Sequence, residues 1–299
     1  MTDAATVQKT LDFALKHNIC CRSDVVMSSC TSFRIGGPAS VVVYPRNASE
    51  AAECVRFFGK GRYTVLGNGS NVLVPDEGLK LPLIKTDLMQ QLSVKANILT
   101  AGAGVLLCKA ANTAAESSLS GMEKLFGIPG SVGGAVVMNA GAYGGEMSQI
   151  AVRTVFVDSE GNIRTVEGKA HDFGYRHSCF RPGDVVCRVE MQLTAGEKEQ
   201  IRSEMAALTA KRRSSQPLEY PSAGSVFKRP EGHFAGKLIE DCGLKGVSVG
   251  GAQVSPKHAG FIVNTGSATA EDVKLLIEDI KRTVLERFGV ELETEIRML

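Results

Sequence analysis

The sequence predicts an α+β protein in which short strands and helices alternate without a dinucleotide fingerprint. Three observations carry this. Residues up to about 80 read as a β-α-β unit with a glycine loop between its last two strands. Two glycine-rich loops interrupt apolar segments, yet neither completes G-x-G-x-x-G. A charged amphipathic helix over 195–213 ends in Lys211-Arg212-Arg213, and a separate unit with its own patterned helix follows.

Residues 4–18 place Val7, Leu11 and Leu15 at helical spacing, which predicts a helix with those three on one face. Residues 41–44 (VVVY) read as a buried strand. Asn47 with Glu50 has capping-box form and opens a short helix through Ala51, Cys54, Val55 and Phe58. Strands at 63–66 and 72–74 flank the loop GNGSN (67–71). Two strands fit between 81 and 100, and an alanine-rich helix fits 106–118. The densest glycine segment, 127–145, comes next. Residues 151–157 and 161–167 read as a hairpin, and 185–193 alternates apolar and polar like a strand. After the boundary near 213 come a helix near 235–242, a strand at 261–263 and a final helix. Thr269 and Asp272 cap that helix, Val273, Leu276, Ile277, Ile280, Val284 and Phe288 form its stripe, and Gly289 stops it.

Bulk properties narrow the function. A chain of 299 residues suffices for two or three compact units. Its 34 basic and 32 acidic residues nearly cancel and form no basic stripe, so nucleic acid is not an expected partner. No apolar run reaches the roughly 18 residues that span a bilayer, and the polar N-terminus lacks a signal pattern. The expected location is the cytoplasm. None of the eight cysteines forms a C-x-x-C pair or has a histidine at ligand spacing, so free, mostly buried thiols and no metal are expected.

Familiar motifs fail one by one. Gly67-x-Gly69 would need glycine at 72, which is Val72; Gly102-x-Gly104 would need it at 107, which is Leu107. No P-loop or H-E-x-x-H occurs, and Ser131 follows Pro129-Gly130 where a nucleophile elbow wants glycine at the first position. Two loops stay unexplained: Gly67-Asn68-Gly69-Ser70-Asn71 and Gly130-Ser131-Val132-Gly133-Gly134. Either could be a plain tight turn. Both interleave glycine with small polar side chains, which lets several backbone N–H groups face one concavity and suits a phosphate-bearing cofactor.

The segments VLGNGSNVLV (65–74), GIPGSVGGAVVMNAGAYG (127–144), YRHSCF (175–180), AGSVFKRP (223–230), LIEDCGLKG (238–246) and ELETEIR (291–297) occur in this order. Together they resemble the UDP-N-acetylenolpyruvoylglucosamine reductase family, in its shorter class without an inserted tyrosine loop, from about residue 30 onward. The resemblance implies an FAD-binding fold of the vanillyl-alcohol-oxidase type in two subdomains, 1–80 and 81–210, with a substrate domain at 211–290. The end of the chain, about 291–299, would return beside the first subdomain. It also implies non-covalent FAD, NADPH as hydride donor, a nucleotide-sugar substrate, a role in peptidoglycan synthesis and a monomer. No His or Cys lies in either glycine loop, which counts against a tethered flavin and a flavin alcohol oxidase.

Carried over residue by residue, the resemblance makes Arg176, Ser225 and Glu295 catalytic. Hydride addition to an enolpyruvyl double bond leaves negative charge shared with the carboxylate, and a guanidinium can grip that group with two parallel bonds. Ser225 would donate the proton that completes the reduction, and Glu295 would be a hydrogen-bonded partner of the intermediate. Strand alternation puts Glu291, Glu293 and Glu295 on one face, so only the E-I-R motif selects Glu295. Expected FAD contacts are Gly67, Asn68, Gly69, Ser70, Asn71, Gly130, Ser131, Gly133, Gly134, Asn139, Gly141, Ala142, Arg213 and Arg297. Tyr175 and Lys245 are expected substrate contacts. Arg229 and His258 stand where longer members carry asparagine and glutamine, and no role is assigned to them.

Overall fold

The computed structural model describes residues 3–299. Helix α1 (Ala4–Lys16) starts at Asp3, whose carboxylate accepts the Thr6 N–H. Its packed face differs from the expected one. Thr10 and Ala14 are buried with Phe13 against the core, while Leu15 is 84% exposed. Steps of four residues drift about 40° around a helix, so the Val7-Leu11-Leu15 row winds off the core face.

Strands β1 (Cys20–Val26) and β2 (Pro38–Tyr44) pair antiparallel, and helix α2 (Ala48–Phe58) follows, capped by Asn47. Strand β3 (Thr64–Leu66) leads through GNGSN into β4 (Val72–Leu73), and β5 (Leu83–Lys85) inserts between β2 and β3, parallel to both. The first sheet thus runs β1-β2-β5-β3. Residues 39–44 of its second strand are all buried, as an apolar run covered on both faces should be.

The second layer begins with β6 (Leu92–Lys95) and β7 (Ile98–Gly102), then α3 (Leu107–Glu116) and β8 (Leu119–Ser120). The glycine segment supplies α4 (Val132–Val137), β9 (Gly141–Ala142) and β10 (Gly145–Glu146). The expected hairpin is present as β11 (Ala151–Val157) and β12 (Ile163–Glu167). With β13 (Val185–Gln192) these strands form an antiparallel sheet ordered β12-β11-β13-β7-β6. Strand β14 (Thr194–Ala195) pairs with β8, and α5 (Lys198–Ser215) leaves the layer.

The third sheet is built from β15 (Ser222–Ser225), β16 (Ser248–Val249), β17 (Ala252–Val254) and β18 (Phe261–Asn264), ordered β15-β18-β17-β16. Helices α6 (Ala235–Asp241) and α7 (Ala270–Phe288) pack with it. Thr269 and Asp272 close the expected capping box on α7, and Gly289 ends it at φ 67°. Of the expected stripe only Phe288 departs, 39% exposed beneath the Arg287 guanidinium. Asp76, from the loop after β4, accepts the Ala270 and Glu271 N–H groups, which ties the first layer to the positive end of α7.

The end of the chain corrects another expectation. Residues 291–296 are not a continuous strand: Thr294 makes one isolated bridge to Phe227, and only β19 (Arg297–Met298) forms a ladder, parallel to β4. Cysteine burial is also lower than expected. Only Cys54 and Cys187 are buried, though all eight thiols are free. Among the described residues no helix is long and apolar enough to cross a membrane, and no His/Cys/Asp/Glu group could hold a metal.

Candidate active site

The two glycine loops, from different layers, face each other. A Cβ on Gly67 would meet Ser131 Oγ at 2.6 Å, and one on Gly130 would meet Ser70 Oγ at 3.3 Å. The loops are also pressed against backbone behind them. At Gly69, with φ +67°, a Cβ would lie 2.3 Å from the Cys30 carbonyl oxygen, and on Gly133 it would lie 2.6 Å from the Ala103 Cβ. Glycine is needed at these positions for space and, at 69, for a left-handed backbone. Lys85, nearly buried, donates from Nζ to the Gly67 carbonyl (3.1 Å) and pairs with Asp87, holding the first loop from below.

Ser131 is 2% exposed and its hydroxyl has no hydrogen-bond partner in the protein. A buried hydroxyl is seldom left unpaired without a ligand or water to serve. This orphan and the cradle that side chains would fill fit a phosphate-bearing cofactor. The adjoining cavity encloses about 500 Å³ and is lined by both loops together with Arg176, Ser225, Glu295 and Arg297.

Arg176 sits on a two-residue turn between Gly174 and His177, each donating its N–H to the other's carbonyl. Its φ is +55°, a conformation that L-residues visit at a cost of roughly 1 kcal/mol and that clusters at functional sites. The guanidinium donates from Nε to Glu295 Oε1 (2.6 Å) and lies 5.0 Å from the Tyr175 ring centroid. Burial raises the Glu295 pKa, and the Arg176 charge opposes the shift.

The end of the chain separates its three glutamates. Glu293 pairs with Lys228 at the surface, Glu291 is exposed, and Glu295 has a side chain only 14% exposed. The Glu295 N–H donates to Val226 and its carbonyl accepts from Asn71 Nδ2, while the Arg297 N–H donates to the Asn71 carbonyl. The first glycine loop thereby fixes both residues at the cavity wall. Burial lowers the Arg297 pKa, and Arg297 forms no ion pair among the described residues.

Ser225 reaches the cavity through a bulge. The register of β15 against β18 shifts between Ser222 and Ser225, and Gly224 between them has φ +81°. Such a bulge re-aims a side chain at the sheet edge. Ser225 and Glu295 lie on paired segments, because Val226 and Phe227 bond to 294–295.

Other expected positions fall elsewhere. Arg213 is exposed and gives its carbonyl to Lys257. Its neighbour Arg212, missed in the sequence, lines the cavity instead, with its pKa lowered by burial. The signal was there: Arg212 continues the face of α5 that buries Ile201 and Met205, eleven and seven residues earlier, and Arg213 lies about 100° round. Lys245 pairs with Glu240 outside the cavity lining. Tyr175 is exposed, and its hydroxyl accepts the Arg229 N–H. Asn139 is 1% exposed and spends both ends of its amide on the protein. Gly67, Asn68, Gly69, Ser70, Asn71, Gly130, Ser131, Gly133, Gly134, Gly141 and Ala142 all line the cavity. His258 lies outside the lining, its pKa lowered by burial.

Comparison with known proteins agrees with this architecture. Residues 39–167 match the FAD binding domain family, and residues 216–299 match the family described as UDP-N-acetylenolpyruvoylglucosamine reductase, C-terminal domain. The UDP-N-acetylenolpyruvoylglucosamine reductase of Clostridium novyi is 44% identical, across 100% of this chain and 98% of its own length. That of Agathobacter rectalis is 48% identical, across 92% and 93%. The crystal structure of UDP-N-acetylenolpyruvylglucosamine reductase from Thermus caldophilus superposes with a TM-score of 0.82 at 38% identity, covering 94% of this chain and 99% of that one. The chain belongs to the UDP-N-acetylenolpyruvoylglucosamine reductase family.

Proposed function

We propose that the cleft between the glycine loops and the third sheet carries out the NADPH-dependent reduction of UDP-N-acetylenolpyruvoylglucosamine to UDP-N-acetylmuramate, a step of peptidoglycan synthesis. The observation that carries this is one cavity lined by Arg176, Ser225 and Glu295 and by both phosphate-suited loops, although the three residues lie far apart in the chain.

The loops at 67–71 and 130–134 would hold FAD non-covalently, with the Ser131 hydroxyl and backbone dipoles on its phosphates. Arg212 and Arg297 add cations at the same wall. Bound there, FAD supplies hydride that it has received from NADPH. Arg176 grips the enolpyruvyl carboxylate and stabilises the negative charge that spreads into it. Glu295 orients the Arg176 guanidinium through its Nε, and among the described residues the remaining N–H groups make only one long contact, to the Gly141 carbonyl. The Ser225 hydroxyl holds the proton destined for C2; serine is a weak acid, so it acts only against a strongly basic carbon.

NADPH and the sugar would use the one cleft in turn. The units 1–80, 81–210 and 211–290 would then be two cofactor subdomains and a substrate domain. Tyr175, exposed beside Arg176, would contact the sugar nucleotide; Lys245 would do so only after releasing Glu240. Eight free thiols suit the reducing cytoplasm.

The test uses the Ser225→Ala holoenzyme. Flavin reduction by NADPH should proceed at the parental rate, and turnover of the enolpyruvyl sugar should be lost. Normal turnover would remove Ser225 from the reaction.

A further inference from the structure

The turn that carries Arg176 is held by a segment that also continues the second glycine loop. Helix α4 begins at Val132, inside that loop, and ends at Val137. Three groups at or just past its end reach the turn. The Ser178 hydroxyl donates to the Val137 carbonyl at 2.7 Å, Asn139 Nδ2 donates to the Gly174 carbonyl at 3.0 Å, and the Arg176 guanidinium makes a long 3.5 Å contact with the Gly141 carbonyl. Gly174 and Ser178 flank Tyr175-Arg176, so the turn is gripped on both sides.

The two side chains that form the grip are built in. Asn139 is 1% exposed and Ser178 4%. The Ser148 N–H donates to Asn139 Oδ1 at 2.9 Å, so only one orientation of the amide satisfies both neighbours. Asn139 has φ +40° and Arg176 has φ +55°. Asparagine tolerates the left-handed region better than most residues, and arginine has no such aptitude. The left-handed Arg176 thus depends on its surroundings, and the bonds from Asn139 to the Gly174 carbonyl and from the Ser178 hydroxyl to Val137 hold the chain two residues to either side of it.

We infer that Asn139 and Ser178 are positioning residues that couple the second glycine loop to Arg176, setting the guanidinium against whatever the loop holds. The inference rests on the proposed roles of Arg176 and the loop. Asn139 therefore acts through the arginine, and its amide makes no cofactor contact of its own. Its loss should spare cofactor binding and NADPH oxidation and slow only the step in which Arg176 meets the sugar.

The test compares Asn139→Asp, Ser178→Ala and Arg176→Ala as FAD holoenzymes in anaerobic half-reactions. Asn139→Asp keeps the acceptor for Ser148 and replaces the donor to Gly174 with a repelling oxygen; Ser178→Ala removes one hydroxyl. Flavin reduction by NADPH should stay within about twofold of the parent, and flavin reoxidation by UDP-N-acetylenolpyruvoylglucosamine should slow by at least about tenfold, as misplacement of a reacting group does. In an Arg176→Ala background, neither change should slow reoxidation further. If Asn139→Asp fails to accumulate as holoenzyme, Ser178→Ala carries the same expectation. Equal slowing of both half-reactions, or loss of FAD affinity, would overturn the inference in favour of a cofactor contact. Parental reoxidation in Asn139→Asp and Ser178→Ala with slow Arg176→Ala would overturn the inference alone. Parental reoxidation in Arg176→Ala would instead overturn the role of the arginine.

Discussion

Arg176 and Glu295 form an ion pair at the wall of the cavity, each side chain no more than 20% exposed. Their unequal position leads to two predictions. Arg176→Lys keeps the charge but loses the planar fork, so turnover should fall on the order of 10²-fold, the usual cost of one misplaced charge-stabilising donor, with flavin reduction by NADPH unaffected; stopped-flow absorbance checks both. Glu295 has its pKa raised in the folded protein, chiefly by burial. The folded state therefore holds its proton to higher pH than the unfolded chain. The stability this adds is present at low pH and is lost as pH rises from the ordinary value of 4.5 through the raised one. Glu295→Gln removes this loss. Thermal melts across pH should find the variant gaining on the parent as pH rises through that window, while its turnover is impaired at every pH. A parallel pair of melting curves would contradict the burial account.

Among the elements, α7 shows how the layers are tied. Its capping box and stripe were legible in sequence because capping and helical periodicity are local. Its third support, Asp76, was not, because 194 residues separate it from Ala270. Asp76→Ala should lower stability by about 1–2 kcal/mol, as loss of a helix N-terminal acceptor does, seen as a lower urea midpoint with unchanged slope. The same contrast recurs elsewhere. The hairpin at 151–167, the Asn47 cap and the buried run at 41–44 within β2 followed from local pattern. The face of α1 did not, because Leu15 fits the spacing and the neighbouring layer selects Thr10 and Ala14. Alternation at 291–295 failed because the segment is placed by hydrogen bonds to 226–228 and to Asn71, not by a ladder of its own. Arg212 could have been chosen over Arg213 by extending the buried face of α5 by two turns.

At the scale of the molecule, the site belongs to no single sheet. The first sheet's exit loop supplies GNGSN, the second layer supplies α4 and Arg176, the third supplies Ser225, and the end of the chain returns beside β4 with Glu295 and Arg297. Glycine content and failed fingerprints pointed to a phosphate-bearing cofactor; the ordered motifs identified the chemistry. The meeting of Ser131 with Gly67 across the two loops could be seen only in three dimensions. In the proposed reaction this assembled cleft passes hydride from NADPH through FAD to the enolpyruvyl sugar. The most direct measurement is an anaerobic single turnover of the purified holoenzyme, reduced with one equivalent of NADPH and mixed with UDP-N-acetylenolpyruvoylglucosamine. The yellow flavin absorbance should return with one UDP-N-acetylmuramate formed per FAD. Flavin that stays reduced in the presence of the sugar, or protein that binds no FAD, would contradict that reaction.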